Sequence, residues 1–205
     1  MKPRVKICGI TNLEDALFCA QAGANALGFI FYDESPRYVQ PSAAAAIIAQ
    51  LPTYVTPVGV FVNADRKTIE RIIAETHIRI VQLSGDESPE DCVGFNNKIW
   101  KAFRIEDKHE VEMLRKYQIN AAILDSSKPG MYGGSGVLPD FSIAREMKQF
   151  HPLVLAGGLN AENISTVIET VQPYAIDVNS GVESAPGKKD HNKIRMLFRK
   201  IEFLR

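Results

Sequence analysis

Eight short apolar runs, each followed by a stretch with helical spacing, leave this chain few folds to adopt. The runs are Val5–Cys8, Ala26–Phe31, Val58–Val62, Ile78–Leu83, Ile99–Phe103, Ala121–Leu124, Leu153–Ala156 and Ala175–Val178. Short, nearly continuous apolar runs are the pattern of parallel strands covered on both faces. Recognisable helix starts lie between them. Thr11-x-x-Glu14 fits a capping box, Ser88-Pro89-Glu90-Asp91 offers a cap, a first-turn proline and acids, and Asp65, Asp107 and Asp190 head other segments. Eight β/α units predict a closed (β/α)8 barrel, because a doubly wound sheet needs only about five or six strands. The chain's 205 residues suffice for that barrel, at the short end of its range. No linker or composition shift divides it, so residues 1–205 are expected to form one domain.

Composition then removes several functional classes. Net charge is zero and no basic run is interleaved with aromatics, so nucleic acid is not an expected partner. No apolar run approaches bilayer-spanning length, and the opening MKPRVKICGITN lacks the apolar core of a signal peptide. The three cysteines, Cys8, Cys19 and Cys92, are an odd number without CxxC spacing, which points to neither a disulfide framework nor a metal site. The expectation is a cytoplasmic protein that engages no membrane. No GxGxxG opens the first β/α turn or occurs elsewhere, and Gly133-Gly134-Ser135-Gly136 lacks the Lys-Ser/Thr that completes a P-loop. That glycine-rich loop after the sixth run is either a flap over a ligand or a plain connector.

The stretch from Leu153 to Val182 suggests what the barrel mouth holds. Its seventh run stops on Gly157-Gly158, and its eighth ends on Asn179-Ser180-Gly181, with a helical segment headed by Asn160 between them. Glycines let backbone N–H groups approach an anion, and the loops after strands seven and eight are the usual phosphate site of such barrels. The alternative is that these glycines only close turns. The other strand ends at the catalytic face are Cys8, Gln82, Arg104, Asp125 and Asp177. Cys8 and Asp125 flank the seventh and eighth strands, so a ligand anchored there would lie between them. A thiolate, favoured by the helix starting near Thr11, is a competent base, and a carboxyl kept protonated by burial is a competent acid. Cys8 as a small core residue and Asp125 as a turn former are the plainer alternatives. Arg37, near Phe29, Phe31 and Tyr32, suits a carboxylate such as that of an aromatic acid, or else is a solvated loop residue. Cys19 and Cys92 fall in helical segments as packing residues, and His77, His109, His151 and His191 carry no chemistry.

In order along the chain, KICGIT (Lys6–Thr11), GFIF with SPRYV (Gly28–Phe31, Ser35–Val39), VGVFVN (Val58–Asn63), VQL (Val81–Leu83), ILDS (Ile123–Ser126), GGSG (Gly133–Gly136), LAGGLN (Leu155–Asn160) and DVNSGVE with PGKKD (Asp177–Glu183, Pro186–Asp190) appear. Together they resemble the phosphoribosylanthranilate isomerase family from residue 5 to about residue 195. The resemblance implies a TIM barrel of tryptophan biosynthesis that rearranges N-(5-phosphoribosyl)anthranilate to 1-(2-carboxyphenylamino)-1-deoxyribulose 5-phosphate, with no metal or organic cofactor, as a monomer or homodimer. It implies Asp125 as general acid and Cys8 as general base. Arg37 would hold the anthranilate carboxylate, Gln82 and Asp177 would contact substrate, and Gly157, Gly158, Ser180 and Gly181 would hold the phosphate. Two departures stand out: Ser84 replaces the histidine of QLHG, and Val137-Leu138-Pro139-Asp140-Phe141 follows GGSG where FDW is usual. The histidine-pathway isomerase is the nearest alternative, but it resembles a duplicated half-barrel with two catalytic aspartates; here the first run ends in Cys8 and no half-chain repeat is found. A barrel that has lost catalysis is the other alternative, opposed by the presence of both Cys8 and Asp125.

Overall fold

The computed structural model describes residues 2–125 and 138–204. Eight parallel strands close into a barrel in sequence order: β1 (Arg4–Ile7), β2 (Ala26–Ile30), β3 (Thr56–Phe61), β4 (Ile80–Leu83), β5 (Lys98–Phe103), β6 (Ala121–Leu124), β7 (Leu153–Leu155) and β8 (Ala175–Val178). The ring is completed by β1 against β8, with Lys6 opposite Asp177 and Ile7 opposite Val178. All eight expected strands are present, each within two residues of its predicted ends. The helices are α1 (Leu13–Ala22), α2 (Pro41–Ile48), α3 (Arg66–Thr76), α4 (Phe141–Met147), α5 (Ile164–Val171) and α6 (His191–Glu202). The proposed flap, Gly133 to Gly136, lies outside the described residues.

Strand alternation divides the core in two. Odd-numbered residues of β1, such as Val5 and Ile7, face the helices in one large cluster. Inside the ring, Ala26, Val58, Ile80, Trp100, Ile123 and Val154 fill the barrel. Above them Cys8, Ile30 and Val60, with Tyr32 packed on them, form a small layer at the mouth. The aromatic group expected beside Arg37 is split by the same alternation. Phe29 and Phe31 point outward, Phe31 against Phe61 at 5.4 Å between centroids, and Tyr32 alone reaches the mouth.

Helix starts follow cap chemistry with two corrections. Asp65 accepts from Thr68 N, and Asp190 accepts from Asn192 N and Lys193 N. The predicted Thr11/Glu14 box is displaced by one residue: Asn12 caps α1 by accepting from Asp15 N, while Thr11 Oγ1 donates to Gly187 O at 2.5 Å. The Ser88 segment forms only a 3₁₀ turn, Glu90–Cys92, and Gly94 soon follows at φ +81°, where a helix cannot continue. Lys108–Lys116, headed by Asp107, is also 3₁₀. After β8 the chain adds a two-stranded hairpin, β9 (Glu183–Ala185) and β10 (Lys188–Lys189), whose Lys189 Nζ donates to Asn179 Oδ1 after β8.

Candidate active site

At the carboxyl ends of the strands a cleft with about 750 Å³ of unfilled space is lined by Cys8, Gln82, Asp125, Asp177 and the loops after β7 and β8. Gly157, Gly158, Ser180 and Gly181 all border it. Gly157 and Gly158 take φ of +91° and +58°, a region that strongly favours glycine. Gly181 is required for a different reason: a Cβ there would lie 1.9 Å from Leu159 O, so the two loops meet backbone to backbone. Among the described residues, no hydrogen bond uses the N–H groups of Gly157, Gly158, Ser180 or Gly181. Asn160 shapes the first loop, its side-chain oxygen accepting from Glu162 N and Asn163 N, and its carbonyl accepting from Ile164 N to start α5. The result is two adjoining loops with donors available to an anion.

The other side of the cleft is built from side chains. Cys8, at the end of β1, is 5% exposed. Beneath it Lys6, 1% exposed, places its ammonium 2.6 Å from Asp177 Oδ2. Gly28 on the neighbouring strand makes room for both: a Cβ at that position would lie 2.7 Å from Cys8 Sγ and 3.0 Å from Lys6 Cε. The expectation that a helix start lowers the Cys8 pKa is not met. Burial pushes the thiol up, and the strongest opposing influence is the charge of the Lys6 ammonium. Burial also pulls Lys6 down, but the Asp177 and Cys8 charges outweigh it, and its pKa is raised. Cys19 and Cys92, both buried away from the cleft, are pushed up to about 12 and about 11, mainly by burial.

Asp125 leaves β6 with its N–H on Phe103 O and lines the cleft partly exposed, less buried than the sequence suggests. Two residues lining the cleft carry a buried acceptor atom. Gln82 donates from Nε2 to Ser84 Oγ at 3.1 Å while its Oε1 has no hydrogen-bond partner, and Asp177 Oδ1 is likewise unpartnered. Such atoms cost about 1–3 kcal/mol each when left unsatisfied, so they are natural receivers for ligand hydroxyls.

Arg37 is not among the residues lining the cleft. Its Nε and Nη2 form a fork on the Glu183 carboxylate at 2.8–3.1 Å, and Lys189 Nζ reaches the same carboxylate at 2.9 Å. These contacts hold Glu183 below the usual carboxylate range despite burial. Lys6, Glu183, Lys189 and the cleft residues Ser35 and Asn179 were not singled out from sequence. A lysine in an otherwise apolar strand was the available signal for Lys6.

A family model described as N-(5'phosphoribosyl)anthranilate (PRA) isomerase matches residues 5–200. The chain belongs to this family. Among curated relatives, the N-(5'-phosphoribosyl)anthranilate isomerase of Geobacter sulfurreducens is 48% identical over 199 residues, covering 97% of this chain and 98% of that protein. Among solved structures, the phosphoribosyl anthranilate isomerase of Thermus thermophilus superposes with a TM-score of 0.90 at 40% identity, covering 98% of this chain and all of that one. Another phosphoribosyl anthranilate isomerase, solved in complex with reduced 1-(o-carboxyphenylamino)-1-deoxyribulose 5-phosphate, has a TM-score of 0.85 at 40% identity, with 98% of each chain covered. The curated and structural relatives agree with the family match over nearly the full length.

Proposed function

We propose that this chain is a phosphoribosylanthranilate isomerase in which the glycine loops bind the substrate phosphate and Cys8 and Asp125 perform the proton transfers. Family membership over nearly the whole chain supports the reaction. The cleft carries the assignment of residues, because it brings a backbone anion cup, a thiol and a carboxyl to one opening.

The phosphate accepts hydrogen bonds from the N–H groups of Gly157, Gly158, Ser180 and Gly181, each worth about 1.5–3 kcal/mol when the acceptor is charged. Ribose hydroxyls donate to Asp177 Oδ1 and Gln82 Oε1. Arg37 offers the guanidinium nitrogen outside its Glu183 fork to the anthranilate carboxylate. Protonated Asp125 then gives its proton to the furanose ring oxygen. As the C1–O bond breaks, the lone pair of the anthranilate nitrogen forms the C=N bond of a Schiff base. The Cys8 thiolate takes the C2 proton, and the C–H electron pair becomes the C1=C2 bond of an enolamine. Loss of the C2 hydroxyl proton and protonation at C1 give the ketone, so the product is an isomer of the substrate. Every step is a proton transfer or an electron shift within the substrate.

The test follows the fluorescence of phosphoribosylanthranilate in the presence of purified protein. Consumption with formation of the deoxyribulose product is the expected outcome. A folded protein that leaves the substrate intact would overturn the proposal.

A further inference from the structure

We infer that Lys6 is a positioning residue for the catalytic base, its buried ammonium clamped by Asp177 so as to serve as the counter-charge of the Cys8 thiolate. The inference rests on the proposed role of Cys8 and adds the group that makes a thiolate tenable there.

An ammonium inside a barrel demands a reason. Removing a charge from water costs several kcal/mol, and an apolar pair of similar volume would pack the ring at least as well. Lys6 nevertheless sits 1% exposed, one row beneath the mouth, directly opposite Asp177 in the β1–β8 ladder. Its ion pair uses only one carboxylate oxygen, Oδ2 at 2.6 Å, and its stem shares with Cys8 Sγ the space vacated by Gly28. An ion pair serving stability alone would gain nothing from lying against a thiol in the floor of the cleft.

The other charges that face the sulfur do not replace it. From β2 come only Gly28 and Ile30. Asp177 on β8 opposes a thiolate and acts in its favour only by holding Lys6. Lys189 on β10 pulls weakly in the same direction as Lys6, but its Nζ is already bound to Glu183 at 2.9 Å and Asn179 at 3.1 Å. Asp125 and Arg104 reach the cleft from β6 and β5 on other sides of the ring. Lys6 is therefore the cation built into the floor beneath the sulfur. It keeps its three protons throughout: the thiol loses its proton to solvent through the open mouth, and the sulfur later accepts the substrate's C2 proton.

The experiment measures the rate of iodoacetamide alkylation at Cys8 against pH in free enzyme, reading the Cys8 peptide by mass spectrometry and checking folding by circular dichroism. This readout needs no turnover, so it stands apart from whether the chain isomerises its substrate; activity retained in Cys8→Ser would count against the proposed function instead. In Lys6→Met the alkylation midpoint should rise by about one pH unit or more, which is about tenfold less thiolate at a fixed pH below it. Lys6→Arg should restore most of the shift. Should an unpaired Asp177 unfold Lys6→Met, the double variant Lys6→Met/Asp177→Asn removes both charges and should still show a rise, smaller than that of the single variant because the opposing Asp177 charge is gone too. Where Lys6→Met folds, kcat/KM should recover as the pH passes the new midpoint, which a purely structural lysine would not produce. An unchanged alkylation midpoint in the folded single or double variant would overturn the inference.

Discussion

The two walls of the cleft are made of different material. The wall after β7 and β8 is backbone: glycines at positive φ, a contact at Gly181 too close for any side chain, and N–H groups that bond to none of the described residues. The wall at β1 is charge: a thiol, an ammonium and a carboxylate, all buried, the ammonium paired with the carboxylate and acting by its charge on the thiol. The backbone wall has its shape before any ligand arrives and tolerates no larger residue. The charged wall depends in addition on which of its groups are ionised. Binding and chemistry should therefore fail separately.

The largest effect should separate them most sharply. Cys8→Ser and Asp125→Asn are each expected to lower kcat by about 10²–10⁴-fold, the usual range for a positioned acid or base, while inorganic phosphate still inhibits residual turnover with unchanged affinity. Near-normal kcat in either variant would remove that residue from the chemistry. Gly181→Ala should do the reverse. With Leu159 O in the way, the loops must part, and losing one or two charged hydrogen bonds should weaken phosphate inhibition about 10–100-fold. Cys8 alkylation should keep its wild-type midpoint. A shift there would show that the walls are coupled.

Much of the backbone wall was legible in the sequence, since small-residue turns at the ends of two successive strands have few other uses. The strands themselves were legible for a similar reason: short apolar runs flanked by caps locate a buried parallel strand to within two residues. The charged wall was not. Alternation along β1 indicates that Lys6 and Cys8 share a face, but the partner comes from residue 177, and only closure of the ring brings the two together. The role of Phe29 and Phe31 was misjudged because adjacency along a strand was taken for adjacency in space. The cap of α1 slipped because TNLED offers acceptors at both Thr11 and Asn12, and Thr11 is engaged by Gly187 from the far hairpin. The Glu183 partner of Arg37 was not legible, because it lies far along the chain in an unforeseen hairpin.

That hairpin gives the smallest expected effect. Burial resists the charge on Glu183, but Arg37 and Lys189 hold its pKa below the ordinary carboxylate value in the folded state. Its contribution to stability is therefore complete above the unfolded carboxylate pKa and is lost as pH falls through the lower folded value. Thermal melts of wild type and Glu183→Gln should differ near neutral pH, by about 2–4 °C for each kcal/mol at this chain length, and converge in acid. Curves that stay equally far apart in acid would place the stabilisation somewhere other than this ionisation.

The Lys6–Asp177 contact straddles the seam where the first strand meets the last. A ribosome making this chain produces the thiol almost at once, yet the aspartate that clamps its lysine emerges only after most of the polypeptide has been synthesised. Until that late arrival the lysine beneath the sulfur has no carboxylate to clamp it. Completion of the ring is therefore what sets the charges around the sulfur in place.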